Sequence, residues 1–151
     1  MPHPNNLPIL LLAEDDEDDF ILARDALHEA KFECQLFRVK NGEELLEYLY
    51  QKGPFENPRQ SPLPDLILLD LNMPKKDGRE ALEEIKSQAR LRRIPVIILT
   101  TSQNQEDVWR CYELNANAFI RKPARFDQIV KVMKSIRGFW FETAQLPSLY
   151  S

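Results

Sequence analysis

Leu66-Ile67-Leu68-Leu69-Asp70-Leu71-Asn72-Met73-Pro74-Lys75-Lys76-Asp77-Gly78 is the stretch on which the fold turns. Four large apolar residues without a polar interruption, followed by Asp, Pro and Gly, predict a short strand buried on both faces, as in a parallel sheet. A buried helix segment could show a similar run. Its shortness and its approach through Pro64-Asp65 favour the strand. The same pattern recurs on either side, at Ile9-Leu10-Leu11-Leu12-Ala13, at Val96-Ile97-Ile98-Leu99 behind Ile94-Pro95, and more briefly at Ala118-Phe119-Ile120. Gln35-Leu36-Phe37-Arg38-Val39 alternates and belongs at an edge. Helical spacing separates these runs: Phe20, Ile21, Ala23, Leu27 and Ala30; Leu45, Leu46 and Leu49; Ala81, Leu82 and Ile85; Val108, Trp109, Tyr112 and Leu114; and an inward stripe of Phe126, Ile129, Val130, Met133 and Ile136. Strands alternating with helices predict an α/β, doubly wound, five-stranded parallel sheet with right-handed crossovers.

Length and composition agree with one such domain. The chain has 151 residues, 43% hydrophobic and 29% charged, with a net charge of −4, which excludes a disordered, self-repelling chain. No apolar run reaches the roughly 20 residues of a membrane-spanning helix, and no basic leader precedes the first strand. Two cysteines, Cys34 and Cys111, cannot form a disulfide framework and read as reduced residues of a cytoplasmic protein. Overall acidity argues against direct nucleic-acid binding. Positive charge nonetheless gathers late, at Arg121, Lys122, Arg125, Lys131, Lys134 and Arg137. The proline-bearing connection from Gly53 to Asp65 is expected to be an ordered or semi-rigid surface loop.

In an open α/β sheet, functional groups gather at the carboxyl ends of the strands. The strand ends here carry Glu14-Asp15-Asp16, Asp70-Leu71-Asn72, Thr100-Thr101-Ser102 and Arg121-Lys122-Pro123, while strand two offers nothing comparable. Taken singly, each has a plain structural reading: Asp70 as a loop cap, Thr100 as a satisfied hydroxyl, Lys122 as a solvated charge. Together they are harder to explain that way. Glu14, Asp15 and Asp70 at one edge would repel without a cation, and hard oxygen ligands suit Mg²⁺. A lysine and a hydroxyl beside that ion are the further parts expected around a phosphoryl group. Glu17, Asp18 and Asp19 are assigned to a helix N-terminus and solvent, and Asp16 leans the same way.

Leu12-Ala13-Glu14-Asp15-Asp16, Leu68 to Gly78, Pro95 to Thr101 and Ile120-Arg121-Lys122-Pro123 make the chain resemble the receiver domain of two-component response regulators. The resemblance spans about Pro8 to Arg137. It is stronger to the stand-alone regulators of cyanobacterial phytochromes, through Asn72-Met73-Pro74-Lys75-Lys76-Asp77-Gly78-Arg79-Glu80, the proline-rich insertion and the ending Phe139-Trp140-Phe141-Glu142-Thr143. It implies a flavodoxin-like (βα)5 receiver with strand order 2-1-3-4-5. It also implies that Asp70 is the phosphoacceptor, that Asp15 binds Mg²⁺ directly and Glu14 through water, and that Asn72 offers its backbone carbonyl. Thr100 and Lys122 would contact the phosphoryl group, Phe119 would be the switch aromatic, and Lys122–Pro123 would be cis. Ala124 stands where a bulky apolar residue is frequent.

The implied function is to accept a phosphoryl group from the phosphohistidine of a phytochrome-like histidine kinase, as a phosphoprotein rather than an enzyme acting on others. An aspartyl-nucleophile phosphatase would need a second aspartate where Asn72 stands. A non-phosphorylated binding module would not need the full acid, Thr and Lys set. Four glycines cannot supply a dinucleotide-binding turn. The expected organisation is an extension over 1–7, a receiver over 8–138 and an aromatic tail over 139–151 with no output domain, leaving the downstream partner open. Phe139, Trp140 and Phe141 span too wide an arc to face one core, which predicts an exposed patch and a homodimer through the fourth helix, fifth strand and fifth helix; the alternative is a tail folded back over a hydrophobic cleft of its own monomer. Arg121 and Arg125 would there meet Glu106, Asp107 and Glu113 of the facing helix.

Overall fold

The computed structural model describes residues 7–147, so most of the expected 1–7 extension and the last four residues of the tail lie outside the described residues. The chain runs β1 (Ile9–Ala13), α1 (Glu17–Glu29), β2 (Gln35–Val39), α2 (Gly42–Leu49), β3 (Leu66–Leu69), α3 (Gly78–Ser87), β4 (Val96–Thr100), α4 (Gln105–Glu113), β5 (Ala118–Arg121) and α5 (Phe126–Ile136). All strand pairings are parallel and the sheet order is β2-β1-β3-β4-β5, with β2 at an edge as its alternation requires.

Strand period sorts the core into two layers. Leu11, Ala13, Ile67, Leu69, Val96 and Ile98 meet Leu45, Leu49, Leu82, Ile85 and Cys111 of α2, α3 and α4. The alternate residues Leu10, Leu12, Leu66, Leu68, Ile97 and Leu99 meet Ala23, Ala26, Leu27, Ile129, Met133 and Ile136 of α1 and α5. Because β1, β3 and β4 are buried on both faces, every position up to the terminal Thr100 of β4 is apolar, which is why their sequences do not alternate. Each of the first four helices starts at a short polar cap immediately beyond a strand or its loop. Asp16, Asn41, Asp77 and Asn104 accept backbone N–H groups of the first turn.

The Gly53–Asp65 connection is ordered. Gly53–Phe55 forms a 3₁₀ turn, the Phe55 ring lies 5.2 Å from Tyr48, and the Tyr48 hydroxyl donates to the Pro62 carbonyl at 2.8 Å. Among the described residues no helix is long and apolar enough to cross a membrane.

Three details differ from the sequence reading. In α4 the buried residue is Cys111, and the helix phase turns Trp109 and Tyr112 outward. In α5, Phe126 is exposed at the first turn, beyond the layer covered by α1. The tail begins without a break, as a π-helical continuation of α5 over Arg137–Thr143. That wider turn brings Trp140 and Phe141 onto the α1–α5 layer, with Phe141 edge-on to Phe32 at 5.4 Å, and leaves Phe139 exposed. The aromatic patch is therefore narrower than expected, because two of its three rings cover the protein's own core.

Candidate functional site

Register alone brings the acids together. Ala13 pairs with Leu69, so the next residues, Glu14 and Asp70, leave the sheet side by side, and the Asp70 N–H donates to the Ala13 carbonyl at 3.1 Å. On the other side Thr100 pairs with Arg121, and the Lys122 N–H donates to the Thr100 carbonyl at 2.7 Å. These strand ends form the edge that the sequence predicts.

The loop that follows Asp70 is held by two close backbone approaches. At Gly78 a Cβ would stand 2.3 Å from the Asp70 carbonyl oxygen and 2.7 Å from Leu71 Cα, so only glycine lets α3 start against the end of β3. The Gly78 N–H donates to Leu71 O at 2.9 Å. At Gly42 a Cβ would meet Lys76 O at 2.2 Å. Between them Lys75 takes a positive φ of 62°, which tightens the turn. The Asn72 side chain is exposed, and its backbone N–H donates to Asp70 Oδ1 at 3.3 Å.

Carboxylate oxygens of Glu14, Asp15 and Asp70 lie within 4.8 Å of one another. Glu14 and Asp70 are buried and Asp15 is exposed. Lys122 enters among them: its ammonium donates to Glu14 Oε1 at 2.5 Å and lies 3.4 Å from Asp19 and 3.7 Å from Asp70. Burial pushes the Glu14 carboxyl up to about 7; Lys122 pulls the other way and the Asp70 charge adds to the rise. Burial works against the Lys122 ammonium, but the Glu14 hydrogen bond and the Asp70, Glu14 and Asp19 charges outweigh it and hold its pKa above the usual lysine value. Three hard oxygen donors of net negative charge on two strand ends fit a small divalent cation such as Mg²⁺. Glu14, Asp15 and Asp70 are the residues that could hold it.

Thr100 is fully buried, on the same face of the sheet as Ile98, whose strand partner is Phe119. Phe119 is half-buried against the α2–α4 layer, and its N–H donates to the Tyr112 hydroxyl at 3.2 Å. The hydroxyl and the aromatic ring therefore share one side of the β4–β5 pair. Beyond Thr100, Ser102 donates to Asp107 at 2.5 Å, and Arg79 of α3 grips the same carboxylate with two hydrogen bonds of 2.8 Å. Asp107 is thus engaged within its own chain, contrary to its expected pairing across a dimer. The Lys122–Pro123 bond is trans rather than cis, the ordinary preference of an X–Pro bond.

Asp16 lies at the helix terminus toward which its reading leaned, while two residues at the site, Asp19 and Arg38, were misread or missed. Asp19 faces Lys122 instead of solvent alone. Asp16 caps α1, accepting from Asp19 N at 2.9 Å. Strand two does contribute: Arg38 reaches the carbonyls of Glu14 and Asp15 from β2. A lone charge in a strand beside the acid-bearing one was the available signal, since parallel pairing of Leu12 with Arg38 leaves it two residues from Glu14.

The sequence matches the response regulator receiver domain family over residues 10–134. It is 42% identical to response regulator Rcp1 of Synechocystis sp., over 98% of this chain and 99% of that protein. Among solved structures, the phosphorylated cyanobacterial phytochrome response regulator RcpA is similar with a TM-score of 0.86 and 44% identity, over 94% of this chain and 99% of that one. The Mn²⁺-bound form of Rcp1 is similar with a TM-score of 0.84 and 42% identity, over 93% and 99%.

Proposed function

We propose a phosphoacceptor function, on the premise that this chain belongs to the response regulator receiver domain family and is related to phytochrome response regulators. Asp70 takes the phosphoryl group of a phosphohistidine on a histidine kinase of the phytochrome type. The observation that carries this reading is the convergence of Glu14, Asp15 and Asp70 within 4.8 Å, with Lys122 among them.

An Asp70 carboxylate oxygen forms the new bond to phosphorus as the P–N bond to the imidazole breaks, and the imidazole leaves with the electron pair. Such a transfer leaves little covalent work for the protein beyond placing groups and offsetting charge. Glu14, Asp15 and Asp70, with the Asn72 backbone carbonyl, would hold a divalent cation, which would supply charge neutralisation for the transfer. Lys122, now shared among three carboxylates, turns toward the phosphoryl oxygens. Thr100 donates its hydroxyl to another. Phe119, on the same face, moves into the space that Thr100 vacates, and the α4–β5–α5 face changes with it.

Asn72 in the position two after Asp70 cannot transfer protons, which argues against sustained phosphatase turnover. The complete acid, Thr and Lys set argues against a non-phosphorylated binding module. The chain therefore acts as a cytoplasmic phosphoprotein that assists its own phosphorylation and dephosphorylation. Its receiver unit spans 8–138, and residues 139–151 are an appended tail. A homodimer through α4, β5 and α5 is supported by the exposed Trp109 and Tyr112 on α4 and by Phe139.

Label transfer from a phosphorylated histidine kinase in the presence of Mg²⁺, to wild type and Asp70→Asn, tests this function. Wild type should take up label and the variant none; a stable label on Asp70→Asn at the wild-type level overturns the assignment.

A further inference from the structure

We infer that Arg38 is a positioning residue for the cation site, holding the backbone that presents Glu14 and Asp15 beside Asp70. The inference rests on the phosphoacceptor reading and adds a residue to it.

Arg38 sits on the edge strand β2, yet its side chain is only 12% exposed. A guanidinium withdrawn from water is costly unless its donors are met. Among the described residues, their partners all lie in the β1–α1 segment. Nε donates to the Glu14 carbonyl at 3.0 Å, Nη2 to the Asp15 carbonyl at 3.3 Å, and Nη1 to Glu17 at 2.5 Å. The Arg38 Cζ also lies over the Phe20 ring, 4.6 Å from the ring centre. Two consecutive carbonyls are therefore held by one rigid fork, a task the single point charge of a lysine cannot reproduce.

The two carbonyls belong to the peptide units on either side of Asp15. Fixing both units restricts the backbone torsions of Asp15, and so the direction in which its side chain leaves the loop. That matters more for Asp15 than for Glu14. Glu14 is buried and anchored by Lys122, whereas Asp15 is exposed and its aim depends on the backbone. Arg38 also sets a fixed positive charge behind a run of six acids, Glu14 to Asp19, which eases their mutual repulsion. Asp70 is carried by β3 and makes none of these contacts, so loss of Arg38 leaves the nucleophile in place.

Calorimetric titration of the full chain with Mg²⁺ tests this, with thermal unfolding in chelator confirming that each variant is folded. Groups that orient metal ligands in this way are worth roughly ten- to a hundredfold in metal affinity, and Arg38→Met should lose that much. Arg38→Lys, which keeps the charge and most of the stem, should also bind Mg²⁺ more weakly than wild type. Glu17→Gln breaks the outer ion pair but keeps the carbonyl grip, so its Mg²⁺ affinity should be unchanged even where its stability falls. A wild type that binds no Mg²⁺ overturns the reading of the site and this inference with it. A wild type that binds, with the folded Arg38 variants binding equally well, overturns the role of Arg38 alone.

Discussion

The Lys122 ammonium donates to Glu14 Oε1 at 2.5 Å, joining the residue beyond β5 to the residue beyond β1 across the ends of β3 and β4. Both side chains are largely withdrawn from water, at 12% and 3% exposure. Removing one partner strands the other. Lys122→Met should cost roughly 3 kcal/mol of folding stability in chelator, because Glu14, Asp19 and Asp70 then face one another unrelieved. Mg²⁺ should restore part of that loss, and adding Glu14→Gln to the variant should restore part of it without metal. Denaturant titrations of the single and double variants, with and without Mg²⁺, check both; a Lys122→Met protein as stable as wild type in chelator would contradict the coupling.

Gly78→Ala is expected to damage the site through the backbone. Its Cβ would stand 2.3 Å from the Asp70 carbonyl and 2.7 Å from Leu71 Cα, and backbone atoms cannot swing aside as a side chain can. Overpacking of this kind costs about 1–3 kcal/mol. The displaced strand end carries Asp70, so phosphoryl uptake should fall along with stability. Unfolding midpoints and label uptake measured on the same preparation would show the two losses together, whereas Gly138→Ala, where nothing lies within 4 Å, should leave both unchanged.

The Arg79–Asp107 pair has a defined pH signature. The Arg79 hydrogen bonds hold the Asp107 carboxyl below its usual 3.8, against the opposing effect of burial. A folded-state pKa below the unfolded one means stability that is present above the unfolded value and lost as pH falls through the folded value. Asp107→Asn should therefore cost roughly 1–2 kcal/mol at neutral pH, with the difference from wild type closing below about pH 3.8. A gap that persists unchanged into strong acid would mean that the pair contributes nothing through its charge.

Association and tail packing should separate on mutation. Trp109 is 60% exposed on α4, so Trp109→Ala should leave stability intact while shifting a dimer to monomer in sedimentation experiments. Phe141 packs on Phe32, so Phe141→Ala should instead cost the protomer about 2 kcal/mol, less than a fully buried phenylalanine. If the intact chain sediments as a monomer at high micromolar concentration, phosphorylated or not, the dimer proposal fails.

Much of this protein was legible from local sequence because its fold repeats one local rule. Doubly buried strands must be apolar almost throughout, short polar residues cap the helices that follow, and parallel crossovers deliver the strand ends to one edge. Those constraints bring Glu14, Asp15, Asp70 and Lys122 to one sheet edge, with Thr100 at the end of β4. Tertiary structure decided what spacing cannot encode. The grip of Arg38 on the Glu14 and Asp15 carbonyls depends on strand register between segments 23 and 24 residues apart. The capture of Asp107 by Arg79 depends on how α3 and α4 lie side by side. The inward turn of Trp140 and Phe141 depends on a π-helical turn that begins at Arg137 and changes the phase of the helix ahead of the aromatic residues. Sequence period tells which residues can share a face; the packing of other elements against that face decides which of them are covered and which charges meet.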